Sequence, residues 1–279
     1  MQEIKDHFRV LLFMTLINLI VLWKFITQGN LLHGIGYFLF FYLAIFIIHL
    51  LTKNIPFQKE IIVKEPKKEL KVAILFSGLA ILSISLNFLL KKEIIPPNIL
   101  TKIPILLGNL FFAIPLGLVI YLLIKKYKIY NLGLNVKPIL IILLGIMIWA
   151  LTGLFAYFFN PEGILWSRAI EEFGGIFNII IEGVIGAALA EEFSRFVIQS
   201  RFERIFKANG MNILFATTIW SLMHFPVSYY KSEYIFGSML YCLQIIPLGF
   251  IWGYLTQRTK SILPSTLAHG FNLWGFQNG

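Results

Sequence analysis

The chain has 279 residues, of which 58% are hydrophobic and 14% are charged. Soluble domains contain about 45–50% apolar and about 25% charged residues, so this composition excludes an ordinary soluble protein and predicts a polytopic membrane protein. The single cysteine, Cys242, lies in an apolar run and excludes both a disulfide framework and a cysteine metal cluster. The formal net charge of +10 would be compatible with nucleic-acid binding. The distribution of the charges along the chain argues against it, as described below.

Apolar runs follow one another along the whole sequence, most of them close to the length of about 20 residues that a helix needs to cross a bilayer. They predict an all-α, polytopic integral membrane protein with about eight or nine transmembrane helices. The count stays open between these values, because the fourth run contains two prolines and the last run is short. The runs are 8–26, 31–51, 72–90, 103–124, 138–159, 176–199, 211–229, 234–255 and 262–276.

The lysines and arginines sort to one side of this topology. If the N-terminus is cytoplasmic, most of them fall in cytoplasmic loops, as the positive-inside rule requires. The basic excess therefore sets the orientation, and no nucleic-acid partner is expected. The longest cytoplasmic loop, 53–71, is expected to be a connector that is either solvated or in contact with lipid headgroups. Lysine- and isoleucine-rich usage is compatible with a prokaryotic protein, so a prokaryotic cell membrane is the expected location.

The run 176–199 carries charges that a lipid-facing helix would avoid. A central charged residue costs roughly 2.5–3.5 kcal/mol, so such a helix faces a polar cavity. Glu191, Glu192 and Arg195 are three or four residues apart and share one helix face. Glu182 lies two and a half turns earlier and is expected to point away as a polar anchor.

Two later runs also carry polar side chains. His224 follows Trp220 by four residues in the run 211–229, and His269 shares a helix face with Asn272 in the last run. At a rise of about 1.5 Å per residue, Glu191, His269 and His224 lie roughly 13, 12 and 20 Å from the cytoplasmic ends of their runs. The three runs are therefore expected to bring these groups into one layer, nearer the cytoplasmic side.

This set of side chains is suited to hydrolysis. A glutamate and a histidine that share a water molecule can deprotonate it for attack on a peptide carbonyl. A second histidine and an asparagine can hold the oxyanion, and one such donor is worth about 2.7–4 kcal/mol. Arg195 would keep one glutamate ionised. The same residue types could hold zinc, although the HExxH pattern is absent.

The residues resemble the motifs of the type II CAAX prenyl protease and bacteriocin-processing family, also called ABI or CPBP intramembrane proteases. That family has EExxxR in one span, FxxxH in a second and HxxxN or HxxxD in a third. This chain has the same order, with Arg195 and Asn272 each one residue early and Trp220 in place of Phe. The stretch 249–272, which leads into the last histidine, is also similar to the family, and the resemblance extends from residue 175 to the C-terminus.

The resemblance implies a helical bundle of about eight spans and a glutamate-dependent endopeptidase that needs neither metal nor cofactor. Residues 1–160 would be an N-terminal scaffold of about five helices and 161–279 the catalytic core, within one membrane domain. The substrate would be a membrane-anchored peptide or lipidated protein, cleaved near the cytoplasmic face. By the resemblance, Glu191 is the base, Glu192 its partner, His224 a helper for the water, and His269 with Asn272 the oxyanion site.

Three alternatives remain from the residues alone. A proton-coupled transporter could use the same Glu and His side chains as a relay, although paired half-helices or an internal repeat are not visible. A membrane zinc protease would depend on bound metal. A catalytically inactive scaffold would tolerate loss of Glu191.

Overall fold

The computed structural model describes residues 2–53, 60–91, 115–134, 139–159, 170–171, 174–207 and 210–272. Within these residues every regular element is helical, which confirms the predicted all-α class. The first five helices are α1 (Gln2–Thr27), α2 (Leu31–Thr52), α3 (Pro66–Lys91), α4 (Pro115–Ile124) and α5 (Leu140–Phe159), with a 3₁₀ turn at Ile129–Leu132. Helix α6 consists of Ile176–Asn178, Ile179–Ala188 and Leu189–Phe206, followed by α7 (Met211–Met223), α8 (Phe225–Ser232), α9 (Ile235–Thr259) and α10 (Leu263–Phe271).

Five described helices, α1, α2, α3, α5 and α9, are long and apolar enough to cross a bilayer. Their outward faces carry exposed leucine, isoleucine and phenylalanine side chains, as expected for contact with lipid. The chain is therefore an integral membrane protein. The count of eight or nine spans stays a prediction, since parts of the fourth and last predicted runs lie outside the described residues. The cytoplasmic N-terminus also stays a prediction.

Helix α9 lies at the centre of the bundle and packs against α1, α2, α6, α7, α8 and α10. Its close approach to α7 depends on Gly249, where a Cβ atom would lie 2.7 Å from Thr217 Cγ2 and 2.8 Å from the Trp220 ring. The approach brings the ring of Trp220 to 5.7 Å from that of Trp252, edge to face. Helix α9 therefore packs directly against the three helices, α6, α7 and α10, that carry the polar residues.

The middle of α6 is not the regular α-helix that the sequence predicts. Residues Ile179–Ala188 form a π-helix, and α-helical geometry resumes at Leu189, just before the paired glutamates. Helix α10 packs on this π-helical segment at Gly270, where a Cβ atom would lie 2.7 Å from Val184 Cα. π-Helical turns are rare and are frequently found at functional sites.

The predicted span 211–229 is divided into α7 and α8 at His224. Pro226 occupies the first turn of α8, where its missing N–H is tolerated, whereas inside a continuous helix its ring would clash with the preceding turn. His224 therefore lies at a junction between two helices and not inside one.

A buried ion pair joins α3 to the second half of α6. Arg201 Nε donates to Glu69 Oε2 at 3.0 Å, and both side chains are 0% exposed. Tyr127 donates its hydroxyl to the other Glu69 oxygen at 2.7 Å, and burial raises the pKa of this phenol to about 12, so it remains a donor. The expectation that 53–71 is a connector in contact with solvent or lipid headgroups is wrong for Glu69. Arg201, which follows the predicted span 176–199, is likewise buried.

Removal of Glu69 should destabilise the bundle strongly. Glu69→Ala leaves the Arg201 charge buried without its partner, and such losses cost about 3–5 kcal/mol of unfolding free energy. Glu60→Ala is the matched control, because Glu60 is 84% exposed and its pair with Arg204 at 3.3 Å should contribute less than about 1 kcal/mol. Thermal unfolding in detergent measures both, and equal midpoints would contradict the assigned role of the buried pair.

Candidate active site

Glu192 is the most enclosed of the site's carboxylates, with a side chain that is 1% exposed. Its Oε1 accepts a hydrogen bond from His269 Nδ1 at 3.0 Å, and its Oε2 accepts one from Arg195 Nη2. The Arg195 guanidinium in turn lies over the rings of Trp220 and Trp252, at 5.7 and 5.8 Å from their centres. Both oxygens of Glu192 are therefore engaged, and a cation balances its charge.

Glu191, the preceding residue, has a more accessible side chain that is 11% exposed. Its Oε2 accepts a hydrogen bond from the indole N–H of Trp220. His224 Nε2 and His269 Nε2 each lie 3.7 Å from the same oxygen. This separation is too long for a direct hydrogen bond and is of the kind that a water molecule can bridge. Glu191 is thus the carboxylate that a substrate water can reach.

The remaining contacts of the two histidines fix which nitrogen faces Glu191. His224 Nδ1 lies 3.1 Å from the Trp220 carbonyl oxygen, which can only accept, so Nδ1 carries a proton. His269 Nδ1 likewise donates to Glu192. Each Nε2 is therefore an acceptor when its imidazole is neutral and a donor when it is charged. Both proton-exchanging nitrogens face Glu191.

The position of His269 depends on how α10 is packed. Its imidazole stacks on the Trp252 ring with centres 3.9 Å apart and planes inclined by 16°. At the N-terminal end of α10, Gly145 of α5 approaches so closely that a Cβ atom there would lie 2.5 Å from the Pro264 carbonyl oxygen. Gly270 also packs against the π-helical segment of α6. Helix α10 is therefore in close contact with α5, α6 and α9.

The structure brings Glu191, Glu192, Arg195, His224 and His269 together, as the motifs predict. Asn272 is buried at the C-terminal end of α10, where its backbone N–H donates to the His269 carbonyl at 2.9 Å. It therefore lies next to the cluster, one turn beyond His269. Glu182 belongs to the π-helical segment, and its side chain lies outside the described residues.

Two tryptophans contact the clustered residues although no role was predicted for either of them. Trp220 was noted only as the aromatic residue before His224, yet it binds Glu191 and packs edge-on against His224, with ring centres 4.7 Å apart. Its spacing of four residues from His224 places both on one helix face, which is the signal that could have found it. No comparable local spacing marks Trp252, which meets His269 only through tertiary packing.

Zinc ligands in proteins lie about 2.0–2.3 Å from the metal, which demands tightly converging side chains. Among the described residues, no group of three or more His, Cys, Asp or Glu side chains is arranged to hold a metal ion. The site as described is instead held together by hydrogen bonds and ring packing.

A sequence model of the family described as Rce1-like, type II CAAX prenyl endopeptidase Rce1-like, matches residues 172–274, which contain the whole cluster. This segment is similar to that family. The match confirms the resemblance inferred from the motifs and supports a protease role. The comparisons with curated proteins and with solved structures gave no match.

A methyl group at Gly270 should disturb the site from a distance. In Gly270→Ala the new Cβ meets the Val184 backbone, so α10 must move and carry His269 with it. A misplacement of about 1 Å can cost about 100-fold in rate, and we expect a loss of that order in cleavage of a membrane-anchored reporter peptide.

Gly153→Ala is the control for this substitution. Gly153 also lies within a helix, but no atom lies within 4 Å of its added Cβ, so activity should stay at the wild-type level. Equal activity of the two variants would show that the close packing of α10 does not position His269.

Proposed function

We propose that the chain is an intramembrane glutamic endopeptidase whose base is Glu191. The observation that carries this proposal is the pair of imidazole Nε2 atoms, each 3.7 Å from the accessible carboxylate oxygen of Glu191. A water molecule held by this carboxylate and an adjacent Nε2 has acceptors for both of its protons. It is thereby oriented with a lone pair directed at an incoming peptide carbonyl.

In the first step the water oxygen bonds to the carbonyl carbon while one water proton passes to Glu191. The carbonyl π electrons move to its oxygen and form a tetrahedral oxyanion. His224 Nε2, fixed by the Nδ1 bond to the Trp220 carbonyl, accepts the hydrogen bond of the remaining water proton. Trp220 donates to Glu191 throughout and holds its carboxylate in place.

The oxyanion needs a hydrogen-bond donor, and His269 provides one when its imidazole is charged. Its Nδ1–H is engaged by Glu192, so in the charged form Nε2–H is left to donate to the oxyanion. Asn272, one turn further along, is proposed as the second donor. When the intermediate collapses, the C–N bond breaks and Glu191 returns its proton to the leaving nitrogen, which yields a carboxyl terminus and an amine.

Glu192 and Arg195 are proposed to act through the other residues. Arg195 neutralises Glu192, and Glu192 orients His269. Because both Glu192 oxygens are engaged, this carboxylate is poorly placed to take a proton from water. Their different surroundings therefore support this proposed assignment of base and partner.

The proposed substrate is a membrane-anchored peptide or a lipidated protein with a C-terminal signal, cleaved near the cytoplasmic face. A substrate of the CAAX type agrees with the name of the matching family. We assign residues 161–279 to the catalytic core and 1–160 to the supporting helices of the same membrane domain. We also propose that the N-terminus lies in the cytoplasm of a prokaryotic cell and that the reaction needs no cofactor.

Glu191→Gln should abolish cleavage of a pool of membrane-anchored reporter peptides by the purified protein. The variant keeps the shape of the side chain but cannot take a proton, and loss of a general base costs about 100- to 10,000-fold. Glu203→Gln, the same change further along α6, should leave the rate unchanged. Wild-type turnover should also resist a metal chelator.

Two results would contradict this proposal. Equal cleavage by wild type and Glu191→Gln would show that the base is another residue. Loss of wild-type turnover on chelation would favour the zinc protease alternative instead.

The proposed role of His269 predicts a loss of rate when its charge is removed. His269→Gln retains a neutral donor, so kcat/KM should drop by about 100- to 1,000-fold in cleavage of the reporter peptides. An unchanged kcat/KM in this variant would exclude charged His269 as the oxyanion donor.

A further inference from the structure

A polar cavity of about 350 Å³ lies at one end of the helical bundle and shares no lining residue with the active site. It forms where α6 ends at Phe206 and α9 ends at Thr259, next to the segment that leads into α3. Its lining consists of Glu60, Ile61, Glu203, Arg204, Lys207 and Lys260. Helix α9 is long and apolar enough to cross the bilayer, so the cavity at its end lies at the depth of the lipid headgroups.

Three of the charged side chains around this cavity already have partners within the protein. Arg204 Nη2 donates to Glu60 Oε2 at 3.3 Å and to the Ile61 carbonyl oxygen at 3.0 Å. Glu203 Oε2 accepts a hydrogen bond from the side-chain amide of Asn212, on α7, at 3.4 Å. The arginine and the two carboxylates are therefore engaged.

Lys207 and Lys260 are the remaining charged groups of the cavity. Among the described residues, no carboxylate lies within ion-pair distance of either ammonium. With these two lysines and the arginine, the lining has three cations against two carboxylates. The excess charge favours an anion as the occupant of the cavity.

Both lysines also have an unusual backbone conformation. Lys207 directly follows α6 and Lys260 directly follows α9, with φ angles of 49° and 53° in the left-handed region. Glycine is the usual residue at such a helix end, because a Cβ atom makes this conformation unfavourable. The chain instead has a long cationic side chain at two helix ends that meet at one cavity. This coincidence indicates that the two ammonium groups have a function there.

We propose that Lys207 and Lys260 bind the phosphate group of an anionic membrane lipid in this cavity. The position at headgroup depth makes lipid phosphate the anion that is most abundant there, and ammonium groups form charge-assisted hydrogen bonds with phosphate oxygens. Because the two lysines follow α6 and α9, the bound phosphate would connect the end of the helix that carries Glu191 to the end of the helix that carries Trp252. The inference is independent of the proposed reaction.

The test replaces both lysines with glycine, the residue that suits their backbone conformation. Lys207→Gly/Lys260→Gly removes both ammonium groups and relieves the unfavourable φ angles, so the fold should be retained. Calorimetry in an uncharged detergent measures binding of a short-chain phosphatidylglycerol to the purified protein. A lysine near lipid phosphate strengthens binding about fivefold, so the double variant should bind this lipid about 30-fold more weakly than the wild type.

Lys126→Gly is the matched control variant. Lys126 also has a positive φ, 57°, after the end of α4 and is exposed, but it does not line the cavity, so its replacement should leave the affinity at the wild-type value. A thermal melt of each variant without added lipid verifies that it is folded.

Two further ligands identify the source of the phosphate. A short-chain phosphatidylcholine has the same phosphate but carries a compensating cation, so the wild type should bind it more weakly than phosphatidylglycerol. Equal binding of the two lipids by the wild type, no binding of either, or wild-type affinity in the double variant would overturn the proposal. Binding of inorganic phosphate as tightly as phosphatidylglycerol would overturn the lipid as the occupant and assign the cavity to a soluble anion.

Discussion

The active-site geometry depends on the burial of the Glu192 carboxylate between Arg195 and His269. A charge removed from water is tolerated only when its partners are complete, and here the guanidinium and the imidazole each take one oxygen. Arg195 lies on α6 itself and His269 lies on α10, so the contact between Glu192 and His269 holds these two helices together. The ring of Trp252 on α9 stacks against the His269 imidazole on one face.

Two adjacent glutamates on one helix acquire different chemistry from these surroundings. Glu192 has both oxygens engaged and is 1% exposed, whereas Glu191 is 11% exposed and faces two imidazole nitrogens across a gap. The first is suited to orienting a histidine, and the second to exchanging a proton with water. In enzymes, two ionisable groups with such different environments commonly take different acid–base roles.

Local spacing was enough to predict most of the cluster, because Glu191, Glu192 and Arg195 share a face by helix periodicity alone. The apolar runs likewise predicted α1, α2, α5 and α9 with small shifts at their ends, whereas the run 211–229 is divided between α7 and α8. Non-local features could not be predicted in this way. The π-helical segment requires α10 as its neighbour, and the Glu69–Arg201 pair joins residues that are far apart in the chain, so neither has a local pattern. The catalytic roles themselves stay predictions.

The central claim is that both histidines present Nε2 to Glu191 and keep a proton on Nδ1. Nitrogen NMR of the protein with ¹⁵N-labelled histidine tests this directly, with His224→Gln and His269→Gln to assign the signals. The account predicts a protonated Nδ1 for both residues, in the neutral and in the charged imidazole, and an Nε2 signal that shifts in Glu191→Gln. An unprotonated Nδ1 on either histidine would contradict the proposed geometry of the reaction.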